Sequence, residues 1–263
     1  MAKATVAVDV MAEDAALVKP FFEAVVADLR LLADLNATEL TAERLQVLQQ
    51  MNFPEQLALA DQGGDMLLTR QQLAALIKDW DCQDPALIDD LASDFARIFL
   101  TGSLHAGPCE SIWLDDEELV CQQPMFEVRK WYENHQLAVP NWRVMADDHL
   151  VNELLFVAHL LNKAATEEKT VFIEEAASFM DEHLLLWLLP FGSRVAQRCH
   201  TDFYAGLAML TAFYLEQLRD LLAEMLGVER PDREALDAAR QARQRAAAMP
   251  QPLQYFPGTA PSW

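Results

Sequence analysis

Glycine is scarce in this chain, with 8 in 263 residues, while Ala, Leu, Glu and Gln abound. Sheets joined by tight turns lean on glycine, so its scarcity beside strong helix formers argues for helix. No stretch of four or more residues alternates convincingly as a strand, and no internal repeat is visible. The four cysteines, Cys82, Cys109, Cys121 and Cys199, are scattered without a C-x-x-C pair. That pattern excludes a disulfide framework and predicts free thiols in a reducing compartment. Basic charge is also thin: 20 Lys and Arg face 41 Asp and Glu, a formal net charge of −21. Such a surface repels nucleic acid, whose binding rests on Lys and Arg at phosphates, and favours solubility or the attraction of a basic peptide. Long apolar runs are missing too. The longest, Leu184–Pro190, is well short of the about 18 residues that a membrane span needs. Met1–Val10 is too short for a secretory leader and runs straight into acidic residues. The expected location is the cytoplasm.

Catalytic signatures are equally sparse. The chain has no G-x-x-x-x-G-K-[ST] phosphate loop and no G-x-G-x-x-G. Ser111 follows Glu110 rather than sitting in a G-x-S-x-G elbow. The six histidines (105, 135, 149, 159, 183 and 200) show no His-x-x-x-His spacing, and Asp148, His149, Glu153 and His159 contain no Glu-x-x-His pair of the di-iron type. The sequence therefore predicts no metal site, no cofactor of the chain's own and no enzyme.

What is present is helical period. Leu17, Phe21, Val25, Leu29 and Leu32 recur on one face of a helix over about 12–35, and a short one follows around 42–51. Gln62-Gly63-Gly64-Asp65 reads as a flexible connection. Thr69 and Gln72 have capping-box spacing for a helix to about Lys78. Asp84-Pro85 opens another, with an acceptor at the N-cap and proline at the first helical position. It places Leu87, Ile88, Leu91, Phe95, Ile98 and Phe99 together. Further helices are predicted from Pro124 to about Leu137, Asp147 to about Ala164, Glu167 to Leu189 with Pro190 as terminator, and Ser193 to Leu226 closed by Gly227. The expectation is an all-α fold, a single helical bundle of about 8–10 helices. The domain body covers 1–227. Residues 228–263 form an appendage: a charged helix over about 229–248 and a Pro-rich tail, Met249–Trp263, extended or disordered unless its aromatics dock on the body.

Between two of these helices, Thr101–Pro124 has neither helical nor strand period. Long structureless connections inside compact domains are uncommon and tend to be functional. At its centre, Gly107-Pro108-Cys109-Glu110-Ser111-Ile112-Trp113 joins a fixed turn, two acceptors and two large apolar side chains. Trp113 is either a core plug, with Glu110 capping a neighbouring helix, or part of a binding surface. Asp147-Asp148-His149 poses the same choice: two acids in a first turn suit the helix dipole, yet lie at a position expected close to this loop.

These stretches together resemble the TorD/DmsD/NarJ family of chaperones for bacterial molybdoenzymes. The loop is similar to the family's P-x-E-S-V-Y/W motif, and it follows Asp94-Phe95-Ala96-Arg97-Ile98-Phe99-Leu100, similar to the helix before it. Asp148-His149-Leu150-Val151-Asn152-Glu153-Leu154 resembles P-D-H-[IL]-x-x-E-[LF]. Phe179 through Trp187, with Phe191, resembles F-x-x-x-H-L-x-x-W-x-x-x-F, and Phe203-Tyr204 to Thr211 continues the match. The resemblance covers about residues 75–226.

It implies a cytoplasmic, non-catalytic protein, monomeric or a domain-swapped homodimer. Such a chaperone binds the twin-arginine leader and apo form of a molybdopterin enzyme and holds it until cofactor insertion, before export. The molybdopterin belongs to the client; guanine nucleotide binding, linked to some members, is not assigned. The residues implied for client binding are Glu110, Ser111, Trp113, Trp131, Trp142, Asp148, His149 and Glu153. The carboxylates would take guanidinium groups in charge-assisted bonds, and the tryptophans would wall the leader. Asp147 stands where the family usually has proline, and the Arg-bearing tail is atypical; it is expected to contact the client or cover its groove. The competing expectations are a helical adaptor that never meets a signal peptide, and a nucleotide-binding protein.

Overall fold

In a computed structural model of the chain, residues 15–59, 63–115 and 117–248 are described. The chain divides into two units, Met1–Arg230 and Pro231–Trp263. In the second, Arg233–Ala248 is a helix; the expected Pro-rich tail, like the N-terminal 1–11, lies outside the described residues.

Among the described residues, every named element of the first unit is a helix. Helix α1 (Ala15–Ala37) presents Phe22, Val25, Leu29 and Leu32, all buried, and packs along α7 (Leu150–Glu167). Helix α2 (Ala42–Gln50) starts at Thr41, whose side chain accepts from Arg44 N. Helix α3 (Gly64–Lys78) lies against α10 (Asp202–Leu226), which in turn packs on α9 (Leu185–Arg198). Buried Asp28 ties α1 across the core, accepting from Tyr214 OH at 2.8 Å and Ala58 N at 2.6 Å. Desolvation is the main reason its carboxyl titrates above the usual range.

Helix α4 (Pro85–Phe95) is capped by Asp84 through Ala86 N, as Asp84-Pro85 implied. It passes into a wide π-turn, Ala96–Leu100, and the long loop follows. Within that loop stands a short helix, α5 (Ser111–Leu114), before α6 (Gln123–Asn134). Gly227 closes α10 with φ of 61°, the left-handed conformation that glycine adopts without cost.

Several boundaries differ from expectation. Helix α3 begins at Gly64, not near Thr69; Thr69 Oγ1 donates back to Asp65 O inside the helix instead of capping it. Helix α7 begins at Leu150, because Asp147 and Asp148 are engaged elsewhere and His149 takes the cap position. Pro190 does not terminate its helix. Helix α8 (Val171–Phe179), a π-turn at Met180–Leu184 and α9 run on to Arg198. Burial of Trp187, Leu188, Phe191 and Val195 on both sides of Pro190 outweighs the one backbone bond that proline removes. The break falls instead at Cys199–Thr201, where fully buried Asp94 accepts from His200 N (2.7 Å) and Thr201 N (2.6 Å). Helix α10 therefore starts at Asp202 rather than Ser193. No helix among the described residues is long and apolar enough to cross a membrane.

Candidate functional site

The two motif segments that stood 37 residues apart in the chain are zipped together. Glu110 N donates to Asp148 O (2.9 Å) and Leu150 N to Pro108 O (2.8 Å), a two-residue antiparallel bridge centred on Cys109 and His149. Gly107 lets the loop fold back on itself: a Cβ there would collide with the Ile112 side chain. Both segments are loop backbone at this point, so these bonds satisfy groups that no helix serves.

Side chains lock the same junction. Asp148 Oδ2 accepts from Ser111 N at 2.8 Å and from Ser111 Oγ at 2.5 Å. A carboxylate of one motif thus caps the N-terminus of α5 in the other, where the helix dipole favours negative charge. Burial is the chief reason the Asp148 carboxyl titrates above the usual range; the Ser111 bonds pull it back down. Glu110 reaches the opposite way: its Oε2 lies 2.9 Å and its Oε1 3.1 Å from His183 Nδ1, which donates to them. Glu153 completes the group, accepting from Trp187 Nε1 at 3.3 Å. Desolvation, and then the charges of Glu110 and Asp148, push the Glu153 carboxyl well above the usual range. Its Oε1 is buried with no hydrogen-bond partner.

His149 caps α7, its Nδ1 accepting from Val151 N at 3.2 Å. Burial lowers its pKa to about 4, so the ring is neutral near pH 7 with Nδ1 as the acceptor. Asp147 leaves the cap and pairs with Arg129, Nη2 at 2.7 Å and Nε at 3.3 Å, while Tyr132 OH donates to Asp147 O.

The expected carboxylates are therefore assembled, but inside the protein. Glu110 is 2% exposed, and Asp148 and Glu153 are fully buried, as is Ser111. Ser111 has no imidazole partner; its hydroxyl proton is committed to Asp148. The tryptophans lie nearer the surface. Half-buried Trp113 donates to Gly107 O, packs edge-on against Phe191 and carries Arg194 over its ring at 4.4 Å. Trp131 rests edge-on against Phe156 and Phe179. Trp142 has Arg129 and Arg143 over its ring at 5.0 and 4.8 Å. Among the described residues, no three His, Cys, Asp or Glu side chains converge as a metal ion requires.

Asp181 and His183 were not among the residues expected at the site, although His183 is the histidine of the motif that runs from Phe179 to Phe191. His183 and Asp181 share the π-turn yet face different partners, as residues two apart on a helix do. Asp181 forms a buried bidentate pair with Arg219, at 2.7 and 2.9 Å. The available hint was a polar residue on an otherwise apolar helical run.

Comparison with known proteins follows the same segments. The family described as nitrate reductase delta subunit matches residues 64–192. Chaperone protein TorD of Vibrio vulnificus is 31% identical over 189 residues, 69% of this chain and 87% of that protein. TorD of Actinobacillus succinogenes is 32% identical over 189 residues, 69% of this chain and 90% of its own. A probable Tat proofreading chaperone, DmsD of Haemophilus influenzae, is 25% identical over 150 residues, 57% and 67% of the two chains. These relatives are named as chaperones, not enzymes. With its two motif segments joined as one structural unit, this chain belongs to the TorD/DmsD/NarJ family of chaperones.

Proposed function

We propose that this protein is a system-specific maturation chaperone. It binds the twin-arginine leader and apo body of a molybdopterin-dependent oxidoreductase in the cytoplasm and holds both until the cofactor is in place. The observation that carries the reading is the junction of the loop and the Asp148-His149 motif. Two segments that match a chaperone family are joined there as one unit, with half-buried Trp113 following directly on the first of them. A leader of this class offers guanidinium groups followed by an apolar stretch. The half-buried tryptophans suit both parts, by cation–π contact and by apolar packing. Two of them already hold the protein's own arginines.

Glu110, Ser111, Asp148, His149 and Glu153 serve this function by fixing the backbone of the two motifs rather than by lying open to solvent. The net charge of −21 speeds encounter with a basic leader. The reading is tested by calorimetric titration of the full chain with a synthetic peptide bearing two adjacent arginines ahead of an apolar stretch. Binding at least tenfold tighter than that of the twin-lysine counterpart supports it. Equal affinity for the two peptides, or none for either, refutes it.

A further inference from the structure

Beside the junction lies a seat built for a guanidinium group, and the protein fills it itself. Arg129 projects from α6 with its guanidinium 5.4 Å from the centroid of Phe126 and 5.0 Å from that of Trp142. Its Nη2 and Nε meet Asp147 Oδ2. Phe126 is the helical neighbour one turn earlier, so half the seat is fixed by α6 itself. Asp147 is anchored independently by its backbone, whose carbonyl accepts from Tyr132 OH. The carboxylate is almost sealed, at 4% exposure, whereas Arg129 keeps 28%. Arginine is thus the removable part.

The surroundings are apolar and open. Val144 is 81% exposed, and Phe126, Leu119 and Val120 stand in solvent as well. Leu119 and Val120 lead into α6, whose first turn carries Phe126. Planar cation, aromatic faces, single carboxylate and apolar apron make a consistent set. They match an arginine followed by apolar residues on a partner chain.

We propose that Arg129 is a tethered stand-in for a client arginine, and that a leader binds by displacing it from Asp147, Phe126 and Trp142. This rests on the leader-binding reading and adds a gate to it. A tethered guanidinium competes at an effective concentration in the millimolar range or above, so a lone arginine on a partner cannot displace it. Only a segment that also covers Phe126, Val144 and the Leu119–Val120 stretch gains enough to enter. Selectivity then comes from the competitor as much as from the contacts.

The test extends the peptide titration to variants of the full chain. Arg129→Gln is expected to bind the twin-arginine peptide at least tenfold tighter than the wild type, with a smaller gain for the twin-lysine peptide. Because Arg129→Gln leaves a buried carboxylate unpaired, Arg129→Lys serves as a folded control. It keeps the charge but lacks the planar group that stacks, and it is expected to gain affinity to a lesser extent. Adding Asp147→Asn to Arg129→Gln is expected to abolish the gain. If the wild type binds and both Arg129 variants bind no more tightly, the stand-in is refuted and the leader reading survives. If neither wild type nor variants bind the peptide, both fall.

Discussion

The Ser111–Asp148 contact is where the two motif segments depend on one another most directly, and its energetics can be worked through. Asp148 Oδ2 receives two donors, Ser111 N at 2.8 Å and Ser111 Oγ at 2.5 Å, and neither residue reaches solvent. Ser111→Ala removes one charge-assisted bond and leaves the carboxylate its backbone donor, a loss of about 1.5–3 kcal/mol. Asp148→Ala removes the acceptor of both, stranding a buried N–H and a buried hydroxyl at about 1–3 kcal/mol each, or about 2–6 kcal/mol together. Asp148→Asn keeps an oxygen that can accept and sheds the desolvation that raises this carboxyl, so it costs least of the three. The expected order of destabilisation is Asp148→Ala, then Ser111→Ala, then Asp148→Asn. Urea unfolding reads it as a falling midpoint at constant slope. An Asp148→Ala loss below about 1 kcal/mol, or an Asn variant worse than Ala, would show that the contact does not hold the motifs together.

Two further outcomes follow from buried polar groups. His149 titrates at about 4 against the usual 6.5, so the folded state binds fewer protons than the unfolded one between those values. Stability therefore falls as pH drops from about 6.5 toward 4, by up to about 3 kcal/mol from this residue. The raised carboxyls of Asp28, Asp148 and Glu153 act in the opposite sense. The contribution is isolated as the difference between wild type and His149→Asn, an exchange that preserves a capping acceptor; parallel pH profiles for the two proteins would exclude it. Asp94→Ala removes the acceptor of His200 N, Thr201 N and Arg97 Nη1 and is expected to cost about 3 kcal/mol or more by thermal or chemical unfolding. A loss under about 1 kcal/mol would mean that the α9–α10 break is held by packing alone.

Local chemistry was readable from the chain where the physics is local. Asp84-Pro85 and Gly227 are caps whose conformations depend on a few neighbouring residues, and both stand where the sequence put them. Val25, Leu29 and Leu32 on α1 and Leu91, Phe95 and Ile98 on α4 and its π-turn were legible for the same reason, through period alone, although on α1 Phe22 and not the expected Phe21 is the fully buried ring. Pro190 misled because its penalty is local whereas the burial that overrides it is tertiary. Asp147 and Asp148 looked like caps of the helix ahead of them. One serves Arg129 and the other serves Ser111 across 37 residues, and no spacing rule encodes such partners. The same holds for Glu110 with His183, 73 residues on, and Asp181 with Arg219. The motif residues meet at one junction, but their burial was invisible in one dimension.

The most direct test of the chaperone account is isolation of this protein's complexes from anaerobically grown cells, with peptide-level mass spectrometry of what accompanies it. The account predicts a molybdoenzyme precursor with its twin-arginine leader intact and its cofactor absent, lost from the complex when the arginine pair is replaced by lysines. Recovery of mature, cofactor-loaded enzyme only, or of a precursor indifferent to that replacement, would contradict it.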